Sequence, residues 1–369
     1  IDGMAGFASL FVSDSGQARL ADRDLEFEIT AGPVVAEGLT AETLDTALRL
    51  RQGRLEIDRL TIGGLEGANV SATGSLEGLG DEASGGIDAT IIAADLEPLL
   101  VALARRFPDN LLATEAARRA GLYPGLTEDA SIRVVARSGS GGDGLTLAAT
   151  GEAGGTALSL DMAAGSLDVA SLRRMPITLD LSARNEDAGA VYALLGLPAL
   201  PIGFAGAAET ELGIDGTIED GARMRFVLSG DGLRLAYEGE AALKDDGFSA
   251  AGAAELSTDD IGPWLATAGV ALPGMGAGLP MRIAAQLDLD DGLLVLSGLE
   301  GEVAGSRVDG DVNAQMRDGL PHLTGALSLQ SFDLGAVAEL AAGAPALIAS
   351  GGGWPAAPFI HAVSTPLTT

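Results

Sequence analysis

The side chains that most often carry chemistry are few or scattered in this chain. His322 and His361 are its two histidines, and neither has a partner at the spacing of a metal-ligand pair or a Ser-His-Asp triad. Cysteine is absent, which excludes a disulfide framework, a thiolate nucleophile and a zinc-thiolate site. The 52 Asp and Glu residues supply carboxylates in quantity, but no pair stands out as the converging acids that glycoside hydrolysis needs. Ser138-Gly139-Ser140-Gly141-Gly142-Asp143-Gly144 resembles one turn of a calcium-binding nonapeptide. That mechanism draws ligands from stacked turns, and without a second copy the segment reads as a hairpin loop. No phosphate-binding Gly-x-x-x-x-Gly-Lys loop is present. The expectation is a non-enzymatic chain with no catalytic residue, no metal and no cofactor.

Four aspartates recur in one setting. Asp95, Asp187, Asp260 and Asp333 each follow a strand-like segment and precede a short apolar stretch with helical spacing. The last two intervals are equal and the first is longer, because a second helix is inserted after Asp95. An aspartate directly before a helix accepts the N–H groups of its first turn, so these residues are expected to be caps rather than catalysts. After Asp95, Leu96, Leu99, Leu100 and Leu103 make one stripe, expected to pack on a sheet as part of a lid. The inserted helix is expected from about Asn110 to Arg119, with Gly121 and Pro124 ending it. A second echo links Leu65-Glu66-Gly67-Ala68-Asn69-Val70 with Leu299-Glu300-Gly301-Glu302-Val303.

Strands must position these elements. In Met281 to Leu289 the odd positions are apolar and the even ones mostly polar, the mark of a strand with one greasy and one wet face. Asp290-Asp291-Gly292 then turns the chain into Leu294 and Leu296, a hairpin. The same alternation runs through Leu25/Phe27/Ile29, Leu48/Leu50, Leu55/Ile57, Leu60/Ile62, Ile132/Val134, Leu145/Leu147, Leu158/Leu160/Met162 and Met224/Phe226/Leu228. The fold class expected is mainly β: an elongated, repetitive antiparallel sheet or groove with short capping helices, each unit leaning on its neighbours. Expected segments are 1–85, then 86–165 with the helical-hairpin insertion, 166–250, 251–324, and 325–369 as the start of a further unit. Apolar-phase residues Ile87, Ile91, Ile177, Leu179, Leu181, Ile283, Leu287, Leu289, Leu327 and Leu329 are the candidates for a lipid-holding inner face. Alternation alone leaves ordinary sheet core equally open.

Composition bounds the partners. The formal charge is −30, and its 22 basic residues cluster no further than Arg105-Arg106, Arg118-Arg119 and Arg173-Arg174. Nucleic acid is therefore excluded, and electrostatic docking on an anionic membrane surface is disfavoured. The hydrophobic share is 47% with only 4% aromatic, so the apolar mass is aliphatic, and 53 glycines imply many turns. No apolar run reaches transmembrane length. The start at Ile1-Asp2, with no signal-like stretch, reads as an excised segment whose anchor lies outside it.

The repeat of strand, glycine, strand and then Asp-Leu-x-x-Leu-Leu, or Asp-Leu-Gly-Ala-Val-Ala-Glu-Leu at 333–340, resembles the AsmA family of Gram-negative envelope proteins, in particular the large alphaproteobacterial members. Gly353-Trp354-Pro355-Ala356-Ala357-Pro358-Phe359 is similar to the segment that leads into the next strands in that family. The resemblance covers about residues 40–360. It implies an inner-membrane anchor outside this segment, a periplasmic location, and a β-groove for phospholipid acyl chains in outer-membrane biogenesis, with other envelope proteins as further partners. The rival readings are a secreted or surface structural β-repeat protein with no lipid ligand and, more remotely, a carbohydrate-active β-enzyme.

Overall fold

The computed structural model describes residues 24–36, 38–77, 84–108, 110–139, 144–165, 174–197, 206–230, 232–244, 247–267, 278–317 and 320–331. The chain is mainly β, with seventeen strands in a long antiparallel sheet, a two-stranded ribbon, and few, short helices. It divides into two units, one built on the strands before residue 186 and the other on those after 219.

In the first unit β1 (Leu25–Ala31) is followed by the ribbon of β2 (Val34–Ala36) and β3 (Leu39–Ala41). Then come β4 (Thr43–Arg51), β5 (Arg54–Leu65), β6 (Ala68–Glu77) and β7 (Ser84–Asp95), the helices α1 (Glu97–Arg106) and α2 (Leu111–Leu122), and β8 (Glu128–Ser138), β9 (Leu145–Ala153), β10 (Thr156–Ala164) and β11 (Pro176–Asn185). β1 pairs with β4, and from β4 to β11 every strand pairs antiparallel with the next. Helix α3 (Ala188–Leu194) and β12 (Ala208–Thr217) follow. The second unit runs β13 (Gly221–Gly230), β14 (Leu233–Lys244), β15 (Gly247–Thr258), α4 (Gly262–Thr267), β16 (Met281–Asp290), β17 (Leu293–Val303), β18 (Ser306–Arg317) and β19 (Leu320–Leu329), again pairing in chain order.

A repeat is visible in that order. β4 to β7 end at Asp95 and α1, β8 to β11 end at Asp187 and α3, and β12 to β15 end at Asp260 and α4. Four strands, an aspartate and a helix make one unit. β16 to β19 are four more strands, and Asp333, which the sequence places next, lies outside the described residues.

Tight turns set the strand pairing. Gln52-Gly53, Glu66-Gly67, Gly154-Gly155, Asp291-Gly292 and Ala304-Gly305 each have both residues at positive φ, the backbone of a two-residue type I′ hairpin whose twist matches its strands. The expected hairpin at Asp291-Gly292 is one of five. The echo between Leu65–Val70 and Leu299–Val303 does not carry into structure. Glu66-Gly67 is a turn, whereas Glu300-Gly301 lies inside β17 and its turn falls at Ala304-Gly305.

Where apolar positions change parity, the ladder bulges. Leu55 and Ile57 are followed by Leu60 and Ile62 on one strand, β5, and the register shifts between Ile57 and Leu60. One extra residue there returns all four side chains to the same face. Leu296 and Leu299 repeat the device in β17, with Gly298 at positive φ.

Each described aspartate of the repeat accepts an N–H at a helix start, although the N-cap of α1 is Leu96 rather than Asp95, and two of them also clasp. Asp95 Oδ1 accepts the Glu97 N–H at 2.9 Å and the Thr127 hydroxyl at 2.7 Å, so it holds both the start of α1 and the chain returning after α2. Asp260 Oδ1 accepts the N–H groups of Gly262 at 2.8 Å and Leu279 at 3.0 Å, closing the chain between α4 and β16. Asp187 Oδ1 accepts the Gly189 N–H at 2.9 Å. Asp260→Ala leaves two partly buried donors unmet and is expected to cost about 2 kcal/mol. Asp260→Asn keeps an acceptor and should cost less. Urea unfolding midpoints of the two variants check this.

The α1 stripe packs as expected. Leu96 and Leu99 are buried against Ala68, Ala93, Ala130 and Ala153, with Leu100 and Leu103 beside them. Helix α2 is capped by Asn110, whose side chain accepts the Ala113 N–H at 3.1 Å.

Candidate functional site

Directly paired residues in an antiparallel ladder share a face, so the registers sort every side chain. In the first unit Phe27, Leu48, Ile57, Gly74, Ile87, Ala136, Leu147, Met162 and Leu179 form one row across nine strands. Two residues further along each strand, or three across the β5 bulge, Ile29, Thr46, Leu60, Ala72, Ala89, Val134, Ala149, Leu160 and Leu181 form the next. A third row runs through Leu44, Ile62, Val70, Ile91, Ile132 and Leu158, and Ile177 lies in a fourth with Ala164 and Leu145. The one hydroxyl in the second row, Thr46, is buried and donates to the Arg59 carbonyl at 3.0 Å beside the β5 bulge.

Opposite faces differ sharply. Thr30, Asp45, Thr61, Ser71, Thr90, Arg133, Thr150, Ser159 and Ser182 form a wholly polar row on the other side. Cross-strand ion pairs lie on this face: Arg49 with Asp58, Arg59 with Asp45 at 3.0 Å, Arg54 with Glu77 at 2.9 Å, and Arg133 with Asp88. Hydrogen bonds from Arg49 and Arg133 hold the Asp58 and Asp88 carboxyls below the ordinary range. All are exposed and hold the strands together only weakly. An open hollow of about 400 Å³ on this side is lined by Arg49, Glu56, Asp58, Thr73, Ser75 and Arg137.

The second unit repeats the division. Leu228, Leu235, Leu256, Ile283, Gly301, Val308 and Leu329 form one apolar row. Met224, Gly239, Gly252, Leu287, Leu296, Val312 and Gly325 form another two rows along, beyond the row of Phe226, Tyr237, Ala254 and Ala285. Leu289 is paired with Leu294, and Leu327 with Gly310.

Glycines bend the ladders toward the apolar side. A Cβ added to Gly151 would lie 2.7 Å from the Cα of its partner Ile132. The corresponding distances are 2.8 Å from Gly301 to Ile283, 2.6 Å from Gly239 to Gly252, and 3.1 Å from Gly325 to Val312. Each glycine stands in an apolar row, so the neighbouring backbone has risen on the apolar side. The apolar faces are locally concave at these points.

The ten candidate residues all fall on these apolar faces but differ in exposure. Ile177 is buried, Ile91, Leu179, Leu181, Ile283, Leu287 and Leu289 are half-buried, and Ile87, Leu327 and Leu329 are 37%, 54% and 45% exposed. Strands contact their ladder neighbours, and α1 covers only the end of the first unit's apolar face at Ala68, Ala93, Ala130 and Ala153. Half-buried aliphatic side chains, as these are among the described residues, are neither dry core nor ordinary surface.

His322 is exposed on β19 opposite Gln315, and His361 lies outside the described residues. Among the described residues no group of three or more Asp, Glu or His side chains is placed to hold a metal, and no helix is long and apolar enough to cross a membrane. Residues 140–143 of the Ser138–Gly144 segment also lie outside the described residues, while Ser138 pairs with Leu145 across that connection. The glycine bends and the clasping role of the aspartates were not read from the sequence, although glycines at apolar-phase positions, such as Gly151 between Ala149 and Ala153, were a signal for the first. No family model, no curated protein and no solved structure matches this chain.

Proposed function

We propose that this chain holds or conducts phospholipid acyl chains on the apolar faces of its sheet, as the periplasmic segment of an AsmA-like envelope protein working between inner and outer membranes in outer-membrane biogenesis. The observation that supports this reading is a multi-row aliphatic face, bent inward by glycine, on which most of the described candidate side chains stay half-buried or exposed. Such a face costs free energy in water and lowers that cost by binding apolar chains. Its dimensions suit the ligand. Same-face residues recur about every 6.7 Å, so four rows span roughly 20 Å along the strands. An acyl chain, occupying half of a bilayer core of about 30 Å, needs roughly 15 Å. The acidic outer face keeps so apolar a sheet in solution. No chemistry on the substrate is required, and the protein acts without catalytic residues or a cofactor.

The test is lipid extraction and native mass spectrometry on the chain purified from bacterial cells. Wild type should carry phospholipid, and Leu181→Asp and Leu287→Asp should lose most of it while far-UV circular dichroism stays unchanged. Thr150→Asp, on the polar face, should keep it. A folded wild-type chain without lipid would sink the proposal and favour the structural β-repeat reading.

A further inference from the structure

Burial on the second unit's apolar face changes along the strands. At the end where α4 follows β15, Leu228, Leu233, Thr258 and Val308 of that face are buried. At the other end, where β14 turns into β15, β16 into β17 and β18 into β19, the face opens. Beyond the row of Leu289, Leu294, Ala314 and Leu323 stand Phe248 and Met316, each two residues further along its strand. Phe248 is 47% exposed, and Met316 and Leu323 are each 63% exposed. Behind this lip, on the polar side of the same strands, Asp220, Glu240, Lys244, Asp288 and Asp290 line an open hollow of about 300 Å³. Leu289 lies between Asp288 and Asp290 in β16, so that strand end carries both the apolar lip and the carboxylates.

We propose that this lip is the mouth at which a phospholipid seats its acyl chains, and that the lipid it selects carries an ammonium headgroup rather than a net negative charge. The proposal rests on the lipid-holding reading above. Large exposed apolar side chains grouped at one end of a face lower their cost in water by binding an apolar partner. The buried end cannot take a headgroup, because a charged group moved there loses its water without a partner. The chains therefore point toward α4 and the headgroup stays at the mouth. Leu289 to Ile283 spans roughly 20 Å along β16, enough for an acyl chain of roughly 15 Å. Four carboxylates against one ammonium line the hollow behind the mouth, so an ammonium headgroup is attracted and a phosphate without one is repelled. The same charges oppose a second copy of the chain on the lip, since that would bring like rims together.

The test incubates the purified chain with vesicles of equal parts phosphatidylethanolamine and phosphatidylglycerol bearing identical acyl chains, re-isolates it by gel filtration, and quantifies the extracted lipid. Wild type should carry phosphatidylethanolamine in roughly fivefold excess at low salt, with the ratio falling toward parity as salt rises. Asp288→Asn with Asp290→Asn should bring the ratio toward parity while total lipid stays the same. Phe248→Ser with Met316→Ser should lower both lipids several-fold with far-UV circular dichroism unchanged. Ile92→Ser, an exposed apolar residue on the first unit's polar face, should behave as wild type. Bound lipid at parity in wild type, an excess of phosphatidylglycerol, or lip variants that carry as much lipid as wild type would each overturn the mouth while leaving the lipid-holding reading intact. So would lip-dependent self-association in sedimentation velocity with lipid content unaffected, which assigns the lip to a second copy. A folded wild-type chain that takes up neither lipid would defeat that reading and the mouth with it.

Discussion

Gly301→Val is expected to lower the stability of the second unit by about 3 kcal/mol or to prevent its folding. The added Cβ would lie 2.8 Å from Ile283 Cα and closer still to the Arg282 carbonyl oxygen, both backbone atoms of the paired strand that cannot rotate away. Relief requires β16 and β17 to separate or the sheet to flatten. Flattening would also spread the apolar rows on which Ile283, Val308 and Leu329 sit. Gly151→Val makes the same demand on β8 and β9 of the first unit, with Ile132 Cα at 2.7 Å. Gly165→Ala is the control, since a Cβ there meets nothing within 4 Å, and its unfolding midpoint should match wild type. Urea unfolding followed by circular dichroism checks all three. Near-native stability of Gly301→Val would mean that the sheet tolerates flattening and that the local concavity is not built in.

That bend marks where the sequence stops being legible. Strand identity is readable because alternation in segments such as Met281 to Leu289 has a period no helix shares, and register preserves it as one face. Helix starts are readable because Asp95, Asp187 and Asp260 precede apolar stretches, and each accepts an N–H of its helix. The clasp to Thr127 or Leu279 is not readable, because its partner lies 32 or 19 residues away across an insertion. Four strands per unit are equally hidden, because Leu55/Ile57 and Leu60/Ile62 look like two strands until the bulge joins them as β5. The echo at Glu300-Gly301 misleads for a related reason: a Glu-Gly pair makes a turn at 66–67 and a strand bend at 300–301. Tertiary pairing decides between those two uses of glycine. The candidate face was legible as a set of apolar phases, but its exposure was not, since Ile177 and Ile87 have the same pattern and differ in burial.

Leu228→Ala and Leu287→Ala, paired in one experiment, should separate closed core from open face. Leu228 has no exposed surface, and truncation there is expected to cost about 3 kcal/mol, as for a filled site that cannot collapse. Leu287 lies on the same face two rows away but is half-buried, and truncation should cost about 1 kcal/mol in lipid-free protein. A closed core would make the two losses similar. Added lipid sharpens the contrast, because a ligand at one hundred times its Kd stabilises the folded state by about 2.7 kcal/mol. Wild type and Leu228→Ala should both gain this increment on adding a monomeric short-chain phospholipid, since Leu228 is shielded from any ligand. Leu287→Ala should gain less, because the truncated side chain is one the acyl chain would touch. Thermal unfolding with and without lipid reads all of these differences. Equal increments for all three proteins would place the bound lipid away from the row of Leu287, and no increment for any would return the apolar face to the role of structural packing.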